Sequence, residues 1–311
     1  MKKGARISLS EIGPNTATAL IAFTAVCFGL VPLFAKELQG QGVGSAAIAL
    51  YRYIFSALML SPFLPLSKGK LRQAGLMTVT GVFLGLGWIG YLEAVKTVPV
   101  AVAGVVYMTY PLFVLLFAWI LVGMRPTRNS VIAGGMIVVA AALVADPTVL
   151  TPDMSMALLM AWTAPLGFGL LVVVLTTMVD RLTGLERMAT GMLGATLGLA
   201  PGAIMAEGAA IVPTDWSMIA TIAGLGFVTS VIPQVIYTFS CMRVGPARSG
   251  IAGSLELPTM FVIGYMAFGE ALGPREIVAA AMVLAAVVIS QTTKKAKASQ
   301  TPVEQPTALV S

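Results

Sequence analysis

The chain has 311 residues, of which 58% are hydrophobic and 10% charged, with a net charge of +6 and no histidine. Soluble domains carry about 25% charged residues, so these side chains cannot cover a water-facing surface, and a soluble fold is excluded. The missing histidine excludes His-ligated metal, haem and His-dependent catalysis. The positive charges sit between apolar runs, not in one patch, which argues against a nucleic-acid partner.

Met1–Asn15 is basic and polar and leads into an apolar run. That run is longer than the ~7–15 residues of a signal peptide and no small-x-small site follows it. Ten apolar runs follow in order, each near the ~20 residues of a spanning helix. They are Ala17–Ala35, Ser45–Leu66, Ala74–Leu92, Val100–Gly123, Val131–Ala145, Met156–Val179, Met188–Ala206, Met218–Ser240, Gly250–Phe268 and Ile277–Gln291. The ~10-residue alternation of an outer-membrane barrel is missing. The expected fold is an all-α integral membrane protein with ten transmembrane helices. A Pro- and Asp-containing stretch, Asp146–Ser155, separates two halves, which places the first repeat at 16–147 and the second at 148–291. Residues 1–15 form an N-terminal segment, and 292–311 read as a disordered tail, both cytoplasmic.

The cations test this count. With a cytoplasmic N-terminus, fifteen Lys and Arg fall in inner segments, including Lys68, Lys70, Arg72, Arg125, Arg128, Arg181 and Arg187. Only Lys36, Lys96 and Arg275 fall outside. This positive-inside bias supports both the orientation and the number of spans. It gives a multi-pass protein of a bacterial-type inner membrane with both termini cytoplasmic.

Spans 4–5 align with spans 9–10 at an offset of 147 residues, which sets Pro99 on Pro246, Pro111 on Pro258 and Arg128 on Arg275. Five spans per repeat is an odd number, so the halves are expected to be inverted in the membrane. Inverted repeats are a mark of transporters, with the binding site near the midplane between halves.

Several residues inside the spans can carry mechanism. Arg52 lies about seven residues, or ~10 Å, into span 2. A charge at the bilayer centre costs roughly 2.5–3.5 kcal/mol. It reads either as an anchor for a solute carboxylate or phosphate, which guanidinium binds bidentately, or as a structural arginine on helix-end carbonyls. Glu256, about six residues into span 9, is a protonatable acid that can couple transport to protons. Its other reading is a carboxylate held by its own helix N-terminus. The two are expected to flank a bound zwitterion without touching. Pro111 and Pro258 free the carbonyls of Tyr107 and Ser254, so spans 4 and 9 either line the pathway or merely kink for packing. Pro165 and Pro233, with Gln234 beside it, pose the same choice in spans 6 and 8. Trp88, Tyr91, Tyr107, Tyr110, Trp162, Tyr237 and Tyr265 are candidate walls of a binding site, or ordinary packing. Glu270, Glu276 and Arg275 lie at the outer mouth, as a gate or a solvated loop. Gly81, Gly85, Gly191, Gly194, Gly198 and Gly202 allow close helix approach.

The stretch GIAGSLELPTMFVIGYMAFGEALGPREIVAAAMVLAAVVI (Gly250–Ile289), with Glu256–Pro258 and Gly269–Glu270, resembles the drug/metabolite transporter superfamily, EamA type. ALYRYIFSALML around Arg52 resembles that family's second span. The first half departs from the pattern, with Val122–Gly123 where the second half has Gly269–Glu270. The resemblance implies a ten-helix carrier of small organic solutes that uses no cofactor. It tilts the reading to efflux of amino-acid-like or amphipathic metabolites; an uptake carrier for a metabolite or vitamin is the alternative. An intramembrane enzyme is the rival of another class, but the sequence has no G-x-S-x-G elbow and no H-E-x-x-H. It also has no Walker A motif, so a gradient must drive any transport.

Overall fold

The computed structural model of the chain describes residues 13–144, 151–208, 212–213, 215–237, 239–240, 252–253 and 255–298. Among these residues the structure is helical, with no strand. Lipid offers no hydrogen-bond partner to the backbone, so a spanning segment must satisfy its own N–H and C=O groups.

Span 1 is two helices, α1 (Pro14–Gly29) and α2 (Val31–Gly40), which meet at Leu30, just before Pro32. The expected loop at Lys36 is therefore helix, and Lys36 sits on its last turns. Then come α3 (Ser45–Leu60) and α4 (Leu71–Thr97). At ~1.5 Å per residue α4 is about 40 Å long, and it stops two residues before Pro99. Span 4 is again split, into α5 (Val100–Tyr107) and α6 (Tyr110–Val122). Pro111 cannot give an N–H to the Tyr107 carbonyl, and the chain turns at Met108–Thr109, where Thr109 Oγ1 donates to the Val106 carbonyl at 2.6 Å. The expected mid-span kink is thus a break, with Pro111 in the first turn of a new helix.

α7 (Arg128–Val144) follows. Span 6 splits at Trp162 into α8 (Pro152–Ala161), capped by Thr151, and α9 (Thr163–Thr177), which carries Pro165 in its first turn. α10 (Gly184–Glu207) opens with a capping box between Thr183 and Glu186. α11 (Trp216–Gly226) is capped by Asp215 and passes into a π-helical turn, Phe227–Val231, before helix resumes to Tyr237. α12 (Glu256–Phe268) begins at Glu256, and α13 (Pro274–Ala298) closes the described chain. α13 continues past Gln291, where a disordered tail was expected, through a stretch rich in Lys and Ala, which propagate helix well.

Among the described residues seven helical segments are long and apolar enough to cross a membrane, counting α1 with α2, α5 with α6 and α8 with α9; α7 and α12 are shorter apolar helices. Large apolar side chains such as Leu58, Phe83, Ile120, Val138, Leu159 and Met266 are exposed, as a lipid-facing surface requires.

α4 is the centre of the bundle and packs on α8, α9 and α10, while α3 packs on α10 and α12 on α1 and α5. Apolar side chains gain little by leaving lipid for a protein interior, so association rests on close van der Waals approach. Small residues supply it: a Cβ at Gly194 would strike the Thr78 carbonyl, and one at Gly81 the Gly191 carbonyl. α7 and α13 pair with each other at the side of the bundle.

The two halves share one detail beyond composition. α6 and α12 are both 13 residues long. Both end at a left-handed glycine, Gly123 (φ 73°) and Gly269 (φ 64°). In each the glycine N–H returns to the carbonyl four residues back and the next N–H to the carbonyl six back. Side chains disfavour this conformation, which is why glycine ends both helices. The caps correspond at an offset of 146, one less than the proline alignment gave, because Pro111 is the second residue of its helix and Pro258 the third. In the corrected register Tyr110 matches Glu256.

Candidate functional site

A cavity of about 80 Å³ lies where these helices meet. α1 contributes Thr24 and Phe28, α3 Arg52 and Tyr53, α4 Leu84 and Trp88, and the span 4 break Tyr107 and Tyr110. Phe168 of α9, Met192 of α10, Ser230 of the π-turn, then Gln234, Tyr237, Gly253 and Glu256 also line it. Small-ligand pockets usually measure ~300–1,000 Å³, so an organic solute fits only after the lining side chains move apart.

Arg52 is the most unusual of these groups. Its residue is 8% exposed. The guanidinium lies over the indole of Trp88, 4.0 Å from the ring centroid, and 5.5 Å from the ring of Tyr53. Nη2 donates to the Thr229 carbonyl at 3.4 Å. Nε and Nη1 are buried with no hydrogen-bond partner. A charged donor left unpaired in a low-dielectric site is expensive, and stacking on Trp88 returns only ~0.5–2 kcal/mol. The arrangement therefore presents a cation whose remaining donors await an acceptor.

Glu256 is the first residue of α12, where the positive end of the helix favours its carboxylate. It also lines the cavity. The three ion pairs among the described residues do not include Arg52 with Glu256. The cavity thus holds a cation and an acid that leave each other free.

The aromatic wall is continuous. Trp88 and Tyr107 rings stand 5.4 Å apart, Tyr107 and Tyr110 6.0 Å, and Tyr110 meets Phe168 edge-on at 5.0 Å. Tyr91 is a correction: it is fully buried behind Trp88 and Tyr107, with its hydroxyl 3.9 Å from the Met260 sulfur. Trp162 is another; it sits at the α8–α9 break against Phe113 and does not reach the cavity. Pro111 and Pro258 shape the breaks without lining the cavity. Ser254 lies outside the described residues. Thr24, Phe28, Tyr53, Phe168 and Ser230 line the cavity without having stood out in the sequence. Three of them had a signal nearby: Ser230 precedes Pro233, Phe168 follows Pro165, and Tyr53 follows Arg52.

The two ends of the bundle are closed differently. At the end reached by the C-terminus of α4, Lys36 of α2 pairs with Glu270 at 2.8 Å. The second Glu270 oxygen accepts the Val100 N–H of α5 at 2.8 Å. The same carboxylate rests on Gly264 of α12, where a Cβ would stand 2.7 Å from it. Lys36 also lies 4.4 Å from the Phe268 ring centroid. One side chain thus ties three broken spans at a single point. At the opposite end Lys70 pairs with Glu186 at 2.7 Å, joining the unbroken helices α4 and α10.

Membrane-length helices around an interior cavity make the chain a multi-pass membrane protein. The model of the EamA-like transporter family matches residues 15–145 and again 155–292, and the chain belongs to that family. It is a membrane transporter, not an enzyme. An uncharacterized transporter of Archaeoglobus fulgidus is 23% identical over 273 residues, 88% of this chain and 95% of that protein. A solved crystal structure at 20% identity shares the fold with a TM-score of 0.62, covering 90% of this chain and 99% of its own.

Proposed function

We propose that the chain is a secondary carrier that exports amino-acid-like zwitterions with an apolar body by alternating access. The observation that carries this reading is Arg52, buried in the cavity wall with Nε and Nη1 unpartnered. A solute carboxylate supplies a missing acceptor, and a charge-assisted hydrogen bond is about twice as strong as a neutral one. Glu256 receives the solute ammonium, and Trp88, Tyr107, Tyr110 and Phe168 receive the apolar body. When the solute leaves, Glu256 is the group in the cavity able to take up a proton, which is the basis for proton coupling.

In this reading the chain has ten spans in two inverted halves, 16–147 and 148–291, in a bacterial-type inner membrane with both termini cytoplasmic. The two family matches and the paired helix caps support the halving. The charge bias along the sequence supports the orientation, which places the Lys36–Glu270 junction on the outer side. Breaks at Leu30, Met108–Thr109 and Leu255 let the outer halves of spans 1, 4 and 9 swing away from the cavity. Opening that side means parting the Glu270 junction.

The test is a stability screen of the purified protein against amino acids, nucleosides, sugar phosphates and cationic drugs. A ligand at 100 times its Kd stabilises the native state by about 2.7 kcal/mol. Zwitterionic amino acids with apolar side chains are expected to raise the melting temperature, and Arg52→Ala to remove the rise. Stabilisation by cationic drugs alone would contradict the reading.

A further inference from the structure

The hold on Arg52 comes from span 8, at a distorted point of that helix. In a regular helix the Thr229 carbonyl would accept the N–H four residues on, but that residue is Pro233, which has none. The carbonyl accepts Arg52 Nη2 instead. Its neighbour Ser230 is hydrogen-bonded through Oγ to Ser56 Oγ at 2.8 Å, and both residues are buried. Ser56 lies four residues after Arg52, one turn along the same face of α3. Thr229 Oγ1 returns to the Leu225 carbonyl at 2.6 Å, which fixes its own side chain away from the cation. Beside this pair, Phe55 fills the space a Cβ would need at Gly226, so α3 and the π-turn are in close contact over two turns. π-turns of this sort occur mostly at functional sites.

Without this clasp the guanidinium has a competing partner. Glu256 lines the same cavity, and an arginine free to swing could pair with it and close the site against a carboxylate. An arginine held by one nitrogen on Thr229 and by its face on Trp88 leaves Nε and Nη1 open to an acceptor. We propose that Ser56 and Ser230 are positioning residues for solute recognition: their hydrogen bond pins the π-turn so that the Thr229 carbonyl holds Arg52 ready for a carboxylate. The inference rests on the reading of Arg52 as the carboxylate anchor, and the experiment separates the two.

Binding of L-leucine and of L-leucinol, which lacks the carboxylate, is measured by calorimetric titration of the purified full-length protein. The unmodified protein is expected to favour leucine at least tenfold. Ser56→Ala should cut that preference about fivefold, the worth of one hydrogen bond, with leucinol affinity unchanged, and Ser230→Ala, which also alters the cavity wall, should cut the preference by the same factor. The double variant should lose no more than either single one, because both remove the same bond. Variants that keep the full preference, or that weaken both ligands equally, overturn the positioning role while the anchor stands. Equal binding of the two probes by the unmodified protein overturns the anchor, and this inference with it.

Discussion

Arg52→Lys is expected to lower solute flux about 10–100-fold while the protein still inserts and folds. Lysine keeps the charge but loses what the site uses. The guanidinium lies flat on Trp88 at 4.0 Å and reaches the Thr229 carbonyl with one nitrogen, leaving Nε and Nη1 for the solute. An ammonium is a point charge with no planar fork, and it stacks poorly on an indole. Hydrogen bonds to charged groups contribute about 1.5–3 kcal/mol each, and every 1.4 kcal/mol is a factor of ten. Arg52→Ala should lose as much or more. Flux in proteoliposomes, with melting temperature as the folding check, measures both. A lysine variant at wild-type rate would mean that Arg52 serves structure only.

Glu270→Gln is expected to expose the cavity to the outer side, with thiol labelling from outside faster by about tenfold. The substitution keeps the shape of the side chain but leaves Lys36 without its counter-ion and weakens the acceptor for the Val100 N–H. Glu270 is 13% exposed and Lys36 23% exposed, so solvent screens the pair only in part. Breaking a partly buried pair by removing one partner costs more than the pair was worth, because the other charge stays behind. The closed state bears that cost, since in the open state both groups reach water. The reporter is Thr24→Cys, on the cavity wall, in a background with Cys27 and Cys241 replaced by alanine. A membrane-impermeant maleimide then reads the outward-open population directly. An unchanged labelling rate would show that the junction is not what closes this end.

Composition and span length made the membrane class legible from residues alone, since no other fold tolerates so few charges. Prolines marked where helices fail: Pro111 and Pro258 lie in the first turns of α6 and α12. The register was off by one because a proline is allowed at more than one first-turn position, whereas the left-handed glycine cap is fixed in place. Cavity facing was less legible. α4 is apolar all round, so its sequence does not say which face meets protein. Trp88 and Tyr91, three residues apart, were equal candidates, yet only Trp88 reaches the cavity. Lys36 read as a loop residue because charge usually ends a span; the partner that lets it sit in a helix, Glu270, is 234 residues away. Thr229 was out of reach for a further reason: its contribution is a backbone carbonyl, visible in the sequence only as a proline four residues on.

In the proposed function the cavity between Arg52 and Glu256 carries a zwitterion across the membrane. Counterflow tests it most directly: proteoliposomes are loaded with unlabelled L-leucine and given a trace of labelled L-leucine outside, with no gradient of any other solute. The expected result is transient, saturable accumulation of label that disappears with Arg52→Lys. Label that only equilibrates, with no overshoot and no saturation, or an overshoot that survives Arg52→Ala unchanged, would contradict it.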